Sequence, residues 1–385
     1  MSTIYLDYSA TTPCNKQVLE AMIKYMYEEF GNPSSQHIYG KKAKHAVQVA
    51  TNKIATVLGA SEEEIIFTSG ATESNNLALF GCFDYFEKAP VNVILSPIDH
   101  KSTIDVGKEL ARRGIQVKYV DVKNDGSICL KSLKSLINKD TRIVSVSYVN
   151  SEIGTIQPVA EIADICHDHN VLLHIDGVQA FGKIPINVKE LKIDLLSISA
   201  HKIYGPKGIG ALYIRRDIQN RYRPLLFGGG QHHLRSGTLP TPLIVGMGIA
   251  AEIAIQEMDL NYDRTLKLRD LFLHTLLEKL PSCKINNCLE KSIPHIINLQ
   301  FPNISSETLI NGLRSVAVSS GSACNSNTLQ PSYVLKAIGL SNEQANSSIR
   351  VSLSPYLKEE QVVYAAEQII KKVKDIYSVT EGVFI

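Results

Sequence analysis

The stretch VLLHIDGVQAFGKIPINVKELKIDLLSISAHK, residues 171–202, holds two short apolar runs, each followed by a charged side chain. Asp176 comes directly after the first run, and Lys202 follows the second run, which ends at Ser199. The two residues are 26 positions apart, which is about one strand–helix–strand step. Apolar strands that alternate with helices predict a mostly parallel sheet with helices on both faces.

The same alternation extends through the first 200 residues. Short apolar runs predict further strands at 64–67, 91–95, 115–120 and 142–147. Apolar residues at helical spacing predict helices at 16–29, 41–58 and 159–169. The second of these helices stops at Gly59, a residue type that commonly follows a helix end.

The pattern changes after about residue 242. Two long helices are predicted at 241–258 and 263–280, around a polar break at 259–262, and an amphipathic helix is predicted at 358–377. We therefore predict an α/β protein with two domains. The large domain would span 13–258, and a smaller α+β domain would combine 1–12 with 259–385.

Composition excludes several classes of protein. Hydrophobic residues make up 44% and charged residues 20% of the 385, which is typical of globular domains. The net charge of +2 gives no electrostatic reason to expect nucleic acid or anionic lipid as a partner. No apolar run is long enough to span a membrane, and we find no signal or transit peptide. Seven scattered cysteines fit a reducing compartment, so we expect a cytoplasmic protein.

Asp176 and Lys202 suggest a cofactor. The carboxyl ends of parallel strands form the usual ligand site of an open α/β sheet. A lysine and an aspartate at two such ends suit pyridoxal 5'-phosphate (PLP), because the lysine binds the cofactor covalently and the carboxylate faces its pyridine nitrogen. The same spacing also suits a surface lysine and a capping aspartate, and the spacing alone does not decide between these interpretations.

Three further segments carry candidate groups. TSGAT, residues 68–72, lies between a strand and a predicted helix start at Ala71, where unpaired N–H groups suit a phosphate; an ordinary capping turn has the same sequence features. Cys324 lies among small polar residues, which suits either an exposed nucleophile or an incidental surface thiol. Arg350 in a strand-like stretch suits either carboxylate binding or an ion pair. No set of four metal ligands is evident, so we expect no metal site.

Six motifs occur in one order and together resemble a known family. They are YLDYSATTP from residue 5, FTSGATESNN from 67, AHKIYGPKG from 200, RSGTLP from 235, SSGSAC from 319 and SSIR from 347. The chain is thereby similar to NifS/IscS-type cysteine desulfurases over nearly its whole length. The resemblance implies a PLP-dependent homodimer of fold type I, the aspartate-aminotransferase fold.

The resemblance also implies a role for each matching residue. Lys202 would hold PLP and move the Cα proton, with Asp176 at the pyridine nitrogen, Gln179 at the ring hydroxyl and His100 stacked on the ring. The phosphate would be held by Ala71, Thr72, Ser199 and His201, joined by Thr238 of the partner subunit, while Asn150 would lie beside the ring. Arg350 would bind the carboxylate of L-cysteine, and Cys324 would take its sulfur.

The implied reaction converts L-cysteine to L-alanine and leaves a persulfide on Cys324, which passes to a sulfur-acceptor protein. An iron–sulfur scaffold and a tRNA-thiolation protein are the two kinds of acceptor that we consider. Among the departures from the family pattern, Ser151 replaces an asparagine, the loop at 228–238 is one residue shorter, and Ala200 stands where glycine is common. A selenocysteine lyase, an aminotransferase of the same fold and an inactive, partner-docking paralogue remain alternatives.

Overall fold

The computed structural model describes residues 3–83, 91–321 and 330–381. The helices of this part are Lys16–Tyr27 (α1), Ile38–Leu58 (α2), Ala71–Phe83 (α3), Lys101–Arg112 (α4), Leu130–Leu136 (α5), Val159–Asp168 (α6), Thr241–Gln256 (α7), Met258–Lys279 (α8), Ser306–Gly312 (α9), Tyr333–Ala337 (α10), Asn342–Asn346 (α11) and Glu359–Glu381 (α12). The strands are Ile4–Tyr5 (β1), Ile65–Thr68 (β2), Asn92–Leu95 (β3), Gln116–Tyr119 (β4), Thr141–Ser147 (β5), Leu172–Asp176 (β6), Leu195–Ser199 (β7), Gly210–Ile214 (β8), Lys284–Ile285 (β9), Ile296–Gln300 (β10), Val316–Ala317 (β11) and Ser348–Ser352 (β12).

A seven-stranded sheet organises the larger part of the molecule. Its strand order is β2-β8-β7-β6-β5-β3-β4, and β8 alone runs antiparallel to its neighbours in this sheet. Successive residues of a strand face opposite sides: Ile65 and Phe67 join the core on one side, and Ile66 joins the core on the other. The predicted α/β class with a mostly parallel sheet is confirmed.

A separate core lies towards the C-terminus. Strands β9, β10 and β12 form an antiparallel sheet, and helices α8 and α12 pack against each other. Strand β1 pairs in parallel with β11, so Ile4 and Leu6 are buried among C-terminal residues such as Phe272 and Ile369. This packing agrees with assigning 1–12 and 259–385 to one domain, but the domain boundaries themselves stay a prediction.

The predicted break at residues 259–262 is wrong. Helix α7 ends at Gln256 and α8 begins at Met258, so the polar residues belong to the first turns of α8. The separation falls at Glu257, between the two helices. The physical reason is that an acidic residue such as Asp259 is favourable in the first turn of a helix, next to its positive end. No helix in the described part of the chain is long and apolar enough to cross a membrane.

Candidate active site

A cleft of about 610 Å³ opens at the carboxyl ends of β6 and β7. Parallel strands place their carboxyl ends at one edge of a sheet, which is where ligands bind in open α/β folds. The lining residues that the sequence predicted are Ala71, Thr72, His100, Asp176, Gln179, Ser199, His201, Lys202 and Arg350. Most of the predicted site residues therefore meet in one place.

Asp176 is the last residue of β6, and its buried carboxylate is held from two sides. Oδ2 accepts a hydrogen bond from Asn75 Nδ2 at 2.8 Å, and Oδ1 accepts one from the backbone N–H of Val178 at 3.1 Å. Asn75 also donates to Ser102 Oγ at 2.9 Å, and Ser102 Oγ lies 2.8 Å from His100 Nδ1. A chain of hydrogen bonds thus fixes Asp176 and His100 relative to each other.

His100 and its neighbour Asp99 mark the start of α4. His100 Nδ1 accepts the backbone N–H of Ser102 at 3.1 Å, so the imidazole caps the helix. Asp99 is buried, and its Oδ1 accepts the backbone N–H of Ser147 at 2.8 Å. Burial raises the pKa of Asp99 to about 7, and the charge of Asp176 adds to this rise. A second acidic group thus lies behind the cleft.

Lys202 ends the short 3₁₀ helix Ala200–Lys202. Its Nζ donates to the carbonyl oxygens of Ser9 at 2.6 Å and Ala10 at 2.7 Å. The backbone N–H of Thr12 donates to the carbonyl of His201 at 3.0 Å. The N-terminal segment therefore lies along the lysine loop and places the amine at the cleft.

The N-terminus of α3 forms another side of the cleft. The first N–H groups of a helix have no partner within the helix and carry partial positive charge, which suits a phosphate. A Cβ atom added to Gly70 would have no neighbouring atom within 4 Å, so there is open space beside the backbone just before α3. Thr72 and Ser199 add hydroxyl groups. Burial, helped by the charge of Lys202, lowers the pKa of His201 to about 4, so this imidazole is neutral at pH 7.

Arg350 lines the cleft from β12 and is almost fully buried. Its Nη2 donates to Asp7 Oδ1 at 2.8 Å, and its Nη1 donates to the carbonyl oxygen of Ser151 at 3.0 Å. Two anchors of this kind fix the plane of the guanidinium before any ligand arrives. A pre-oriented guanidinium suits the binding of a carboxylate.

Glu152 contacts both ends of the segment that contains Cys324. Its Oε2 accepts a hydrogen bond from Ser332 Oγ at 2.6 Å. Gly321 packs so closely against the same oxygen that a Cβ at this position would overlap it. Burial raises the pKa of Glu152 to about 7. The turn after β5 therefore anchors Arg350 through the Ser151 carbonyl and holds residues 321 and 332 through Glu152.

Two predicted site residues of the described structure do not line the cleft. Asn150 is buried, and its Nδ2 donates to the carbonyl of Ile98 at 2.7 Å while its Oδ1 accepts two backbone N–H groups of its own turn. Its neighbour Ser151 lines the cleft instead. Thr238 is exposed on the loop at 228–238. Cys324 lies outside the described residues, so its predicted role stays a prediction.

Comparison with known proteins identifies the family. The model of the class-V aminotransferases matches residues 4–364. Cysteine desulfurase IscS of Rickettsia prowazekii (strain Madrid E) is 46% identical over 372 residues, which cover 96% of this chain and 91% of that relative. This chain belongs to the cysteine desulfurase family. A solved NifS-like protein has a TM-score of 0.90 at 40% identity and covers 98% of this chain and 100% of its own. The structure of SspA in complex with cysteine has a TM-score of 0.82 at 37% identity and covers 92% of this chain and 100% of its own.

Cysteine desulfurases of this family depend on PLP, and the cleft fits that cofactor. The amine of Lys202, the buried carboxylate of Asp176 and the bare N-terminus of α3 are the three kinds of group that the aldehyde, ring nitrogen and phosphate of PLP require. The predictions of fold type I and of PLP as cofactor are confirmed. In the described part of the chain, no three His, Cys, Asp or Glu side chains are grouped to hold a metal ion.

Four residues of the site were missed by the sequence argument: Asn75, Ser102, Asp7 and Glu152. Asn75 lies in the motif FTSGATESNN, and Asp7 lies in YLDYSATTP. Asn75 follows Ala71 by one helical turn, which is a signal that it shares the face of α3 that meets the sheet. No comparable signal exists for Glu152, because its partners lie about 170 to 180 residues further along the chain.

The first prediction concerns Asn75. In Asn75→Ala, the buried Oδ2 of Asp176 loses its hydrogen-bond donor, so we expect PLP to bind about tenfold more weakly. Titration of the apoprotein with PLP, followed by fluorescence, measures this. The matched control is Asn76→Ala, because Asn76 bonds only a carbonyl of its own helix. Equal affinities for the two variants would contradict the assigned role of Asn75.

The second prediction concerns Glu152. Because its pKa is higher in the folded chain than the usual 4.5, the folded state keeps a proton that the unfolded state releases between about pH 4.5 and 7. The contribution of this group to the unfolding free energy is therefore present at low pH. It falls by up to ~3 kcal/mol as the pH rises to about 7. Relative to wild type, we expect the unfolding free energy of Glu152→Gln, measured with urea, to rise between pH 5 and 8.

Asp99 contributes a fall of the same sign. The lowered pKa values of His201 and His295 contribute a rise instead, so the quantity that tests Glu152 is the difference between Glu152→Gln and wild type. The matched control is Glu161→Gln, at an exposed position on α6. If both substitutions leave the pH dependence as in wild type, Glu152 is ionised in the folded chain and this interpretation of its burial is wrong.

Proposed function

We propose that this chain converts L-cysteine to L-alanine and passes the sulfur through a persulfide on Cys324 to an acceptor protein. The observation that carries the proposal is that Lys202, Asp176 and Arg350 line one cleft in a chain that is 46% identical to an IscS cysteine desulfurase. SspA, with the same fold and 37% identity, has been solved in complex with cysteine. An amine and a carboxylate-binding guanidinium in the same cleft suit an α-amino acid.

Each residue has a defined task in this proposal. Arg350, fixed by Asp7 and Ser151, binds the substrate carboxylate. Lys202 takes the proton from Cα and returns a proton later. PLP supplies an electron sink for the negative charge that develops at Cα. Asp176, held by Asn75, would hold the ring nitrogen of PLP and stabilise its protonated form.

Cys324 completes the sulfur transfer. Its thiolate attacks the sulfur of the substrate, the carbon–sulfur bond breaks, and the electron pair stays with the three-carbon product. That product takes up protons and leaves as alanine, so one cysteine and one thiol become one alanine and one persulfide. The persulfide sulfur then goes to the acceptor, for which an iron–sulfur scaffold and a tRNA-thiolation protein are the candidates.

The proposal includes a cytoplasmic homodimer. Five large apolar side chains on one side of α1 and just after it are exposed: Leu19, Ile23, Met26, Tyr27 and Phe30, with 47%, 52%, 57%, 82% and 67% of their surface accessible. A contiguous apolar stripe of this kind supports an interface. In the dimer, Thr238 of each chain would reach the phosphate end of the other cleft. Free cysteines among the described residues support a reducing compartment.

The third prediction tests the dimer. Sedimentation equilibrium of the PLP-loaded protein is expected to give twice the 42.4 kDa chain mass. Tyr27→Glu is expected to shift the protein towards the monomer, because it puts a charge into the apolar stripe. The matched control is Val379→Glu, since Val379 is an exposed apolar residue near the end of α12. A monomer at all concentrations of wild type would contradict the homodimer.

The fourth prediction tests the reaction. Wild type should release alanine and, with a thiol reductant, sulfide from L-cysteine, and Cys324→Ser should lose this by at least about a hundredfold because it lacks the attacking thiolate. Cys14→Ser, at an exposed cysteine, is the matched control and should keep wild-type turnover. If Cys324→Ser remains active with cysteine, sulfur does not pass through Cys324. If wild type itself releases alanine only from selenocysteine, the lyase alternative replaces the desulfurase.

A further inference from the structure

Lys183 lies just behind the cleft, on the turn that follows β6. Its Nζ donates to Gln179 Oε1 at 2.8 Å. Lys183 lines a small interior cavity of about 40 Å³ together with Lys202 and His295. None of the residues that line this cavity in the described structure is an aspartate or a glutamate. The amine of Lys183 therefore faces an interior space in which no carboxylate balances its charge.

An amine in this position is unfavourable for stability. Burial and the charge of Lys202 together lower the pKa of Lys183 to about 7. The other ionisable groups of the cavity offer no negative charge. Burial lowers the pKa of His295 to about 3, and burial raises the pKa of the tyrosines that complete the lining, Tyr8, Tyr204 and Tyr356. A lysine retained at this energetic cost suggests a task in the neighbouring site.

Gln179 separates this cavity from the cleft. Its Oε1 accepts from Lys183, and its Nε2 donates to the carbonyl oxygen of Ser9 at 2.9 Å. A primary amide has one accepting and one donating end, and its two orientations have the same shape. An ammonium group donates and does not accept, whereas a carbonyl oxygen only accepts. Lys183 and Ser9 thus impose the same orientation, with the N–H groups of Gln179 on the side of Ser9 and Lys202.

We propose that Lys183 is a positioning residue that acts on the cofactor through Gln179. By donating to Oε1, it keeps the amide turned so that Nε2 is the donor offered to the ring hydroxyl oxygen of PLP. The inference rests on the proposed function, in which Gln179 lies at that oxygen. It assigns Lys183 no contact with substrate or cofactor.

The orientation has a measurable consequence. A donor at the ring oxygen stabilises its deprotonated form, and an acceptor there would destabilise it. Without Lys183, only the Ser9 carbonyl holds the amide in this orientation, so Nε2 is held less firmly at the cofactor. We therefore expect a lower affinity for PLP and a shift to higher pH in the midpoint at which the visible absorption of the bound cofactor changes.

The fifth prediction compares Lys183→Met with wild type. Met keeps the length and apolar stem of the side chain and removes the donor. We expect the dissociation constant of PLP to rise by about two- to tenfold and the absorption midpoint to move up by about half to one pH unit. Lys189→Met, at an exposed position on the same stretch, is the matched control and should leave both values unchanged.

A double-mutant cycle tests whether the effect passes through Gln179. Gln179→Ala alone should shift both values, and Lys183→Met should add nothing further in the Gln179→Ala background. Additive shifts would overturn the proposal. Lys183→Arg, which keeps a donor on a long stem, should return both values towards wild type. If Lys183→Met does not fold, Lys183→Ala lacks the same donor and takes its place in the cycle.

The outcomes separate this inference from the proposed function. If wild type binds no PLP and releases no alanine from cysteine, the proposed function is wrong, and the inference is wrong with it. If wild type binds PLP and turns cysteine over while Lys183→Met behaves like Lys189→Met, the inference alone is wrong.

Discussion

Two carbonyl groups near the N-terminus hold the amine of Lys202, and the rest of the site is arranged around this contact. Ser9 and Ala10 supply the carbonyls, at 2.6 Å and 2.7 Å. The same segment starts at Ile4 and Leu6, which are buried in the C-terminal core. Lys202 follows a strand of the large sheet, and the segment that anchors it begins in the C-terminal core. The cleft therefore brings Lys202 together with Arg350 of β12.

Burial of ionisable groups is the common electrostatic feature of this region. Asp99, Glu152 and Lys183 are all shifted towards their neutral forms, with pKa values of about 7. Such groups lower the stability of the folded chain and fix polar contacts in a low dielectric, where an unmade hydrogen bond is costly. These groups lower the unfolding free energy of the chain but make the site more ordered. Such an exchange is common at functional sites.

Much of this arrangement follows from the sequence. The apolar runs before Asp176 and Lys202 predict parallel strands, and parallel strands bring their carboxyl ends together, so the meeting of these two residues could be predicted. The boundary between α7 and α8 could not, because a helix N-terminus tolerates the acidic residues that were taken for a break. The contacts of Glu152 with Gly321 and Ser332 could not either, because they depend on how two distant parts of the chain pack, which has no local periodicity.

The pairing of β1 with β11 also bears on how the protein is made. During synthesis, the N-terminal segment leaves the ribosome first, but its partner strand at Val316 and the Asp7 partner Arg350 emerge more than 300 residues later. The large sheet can form in the meantime, because its strands lie between residues 65 and 214. Ile4 and Leu6 cannot be buried until the C-terminal part of the chain has been made. The carbonyls that anchor Lys202 are fixed in place only then. A complete site for the cofactor therefore forms only after Arg350 has been made.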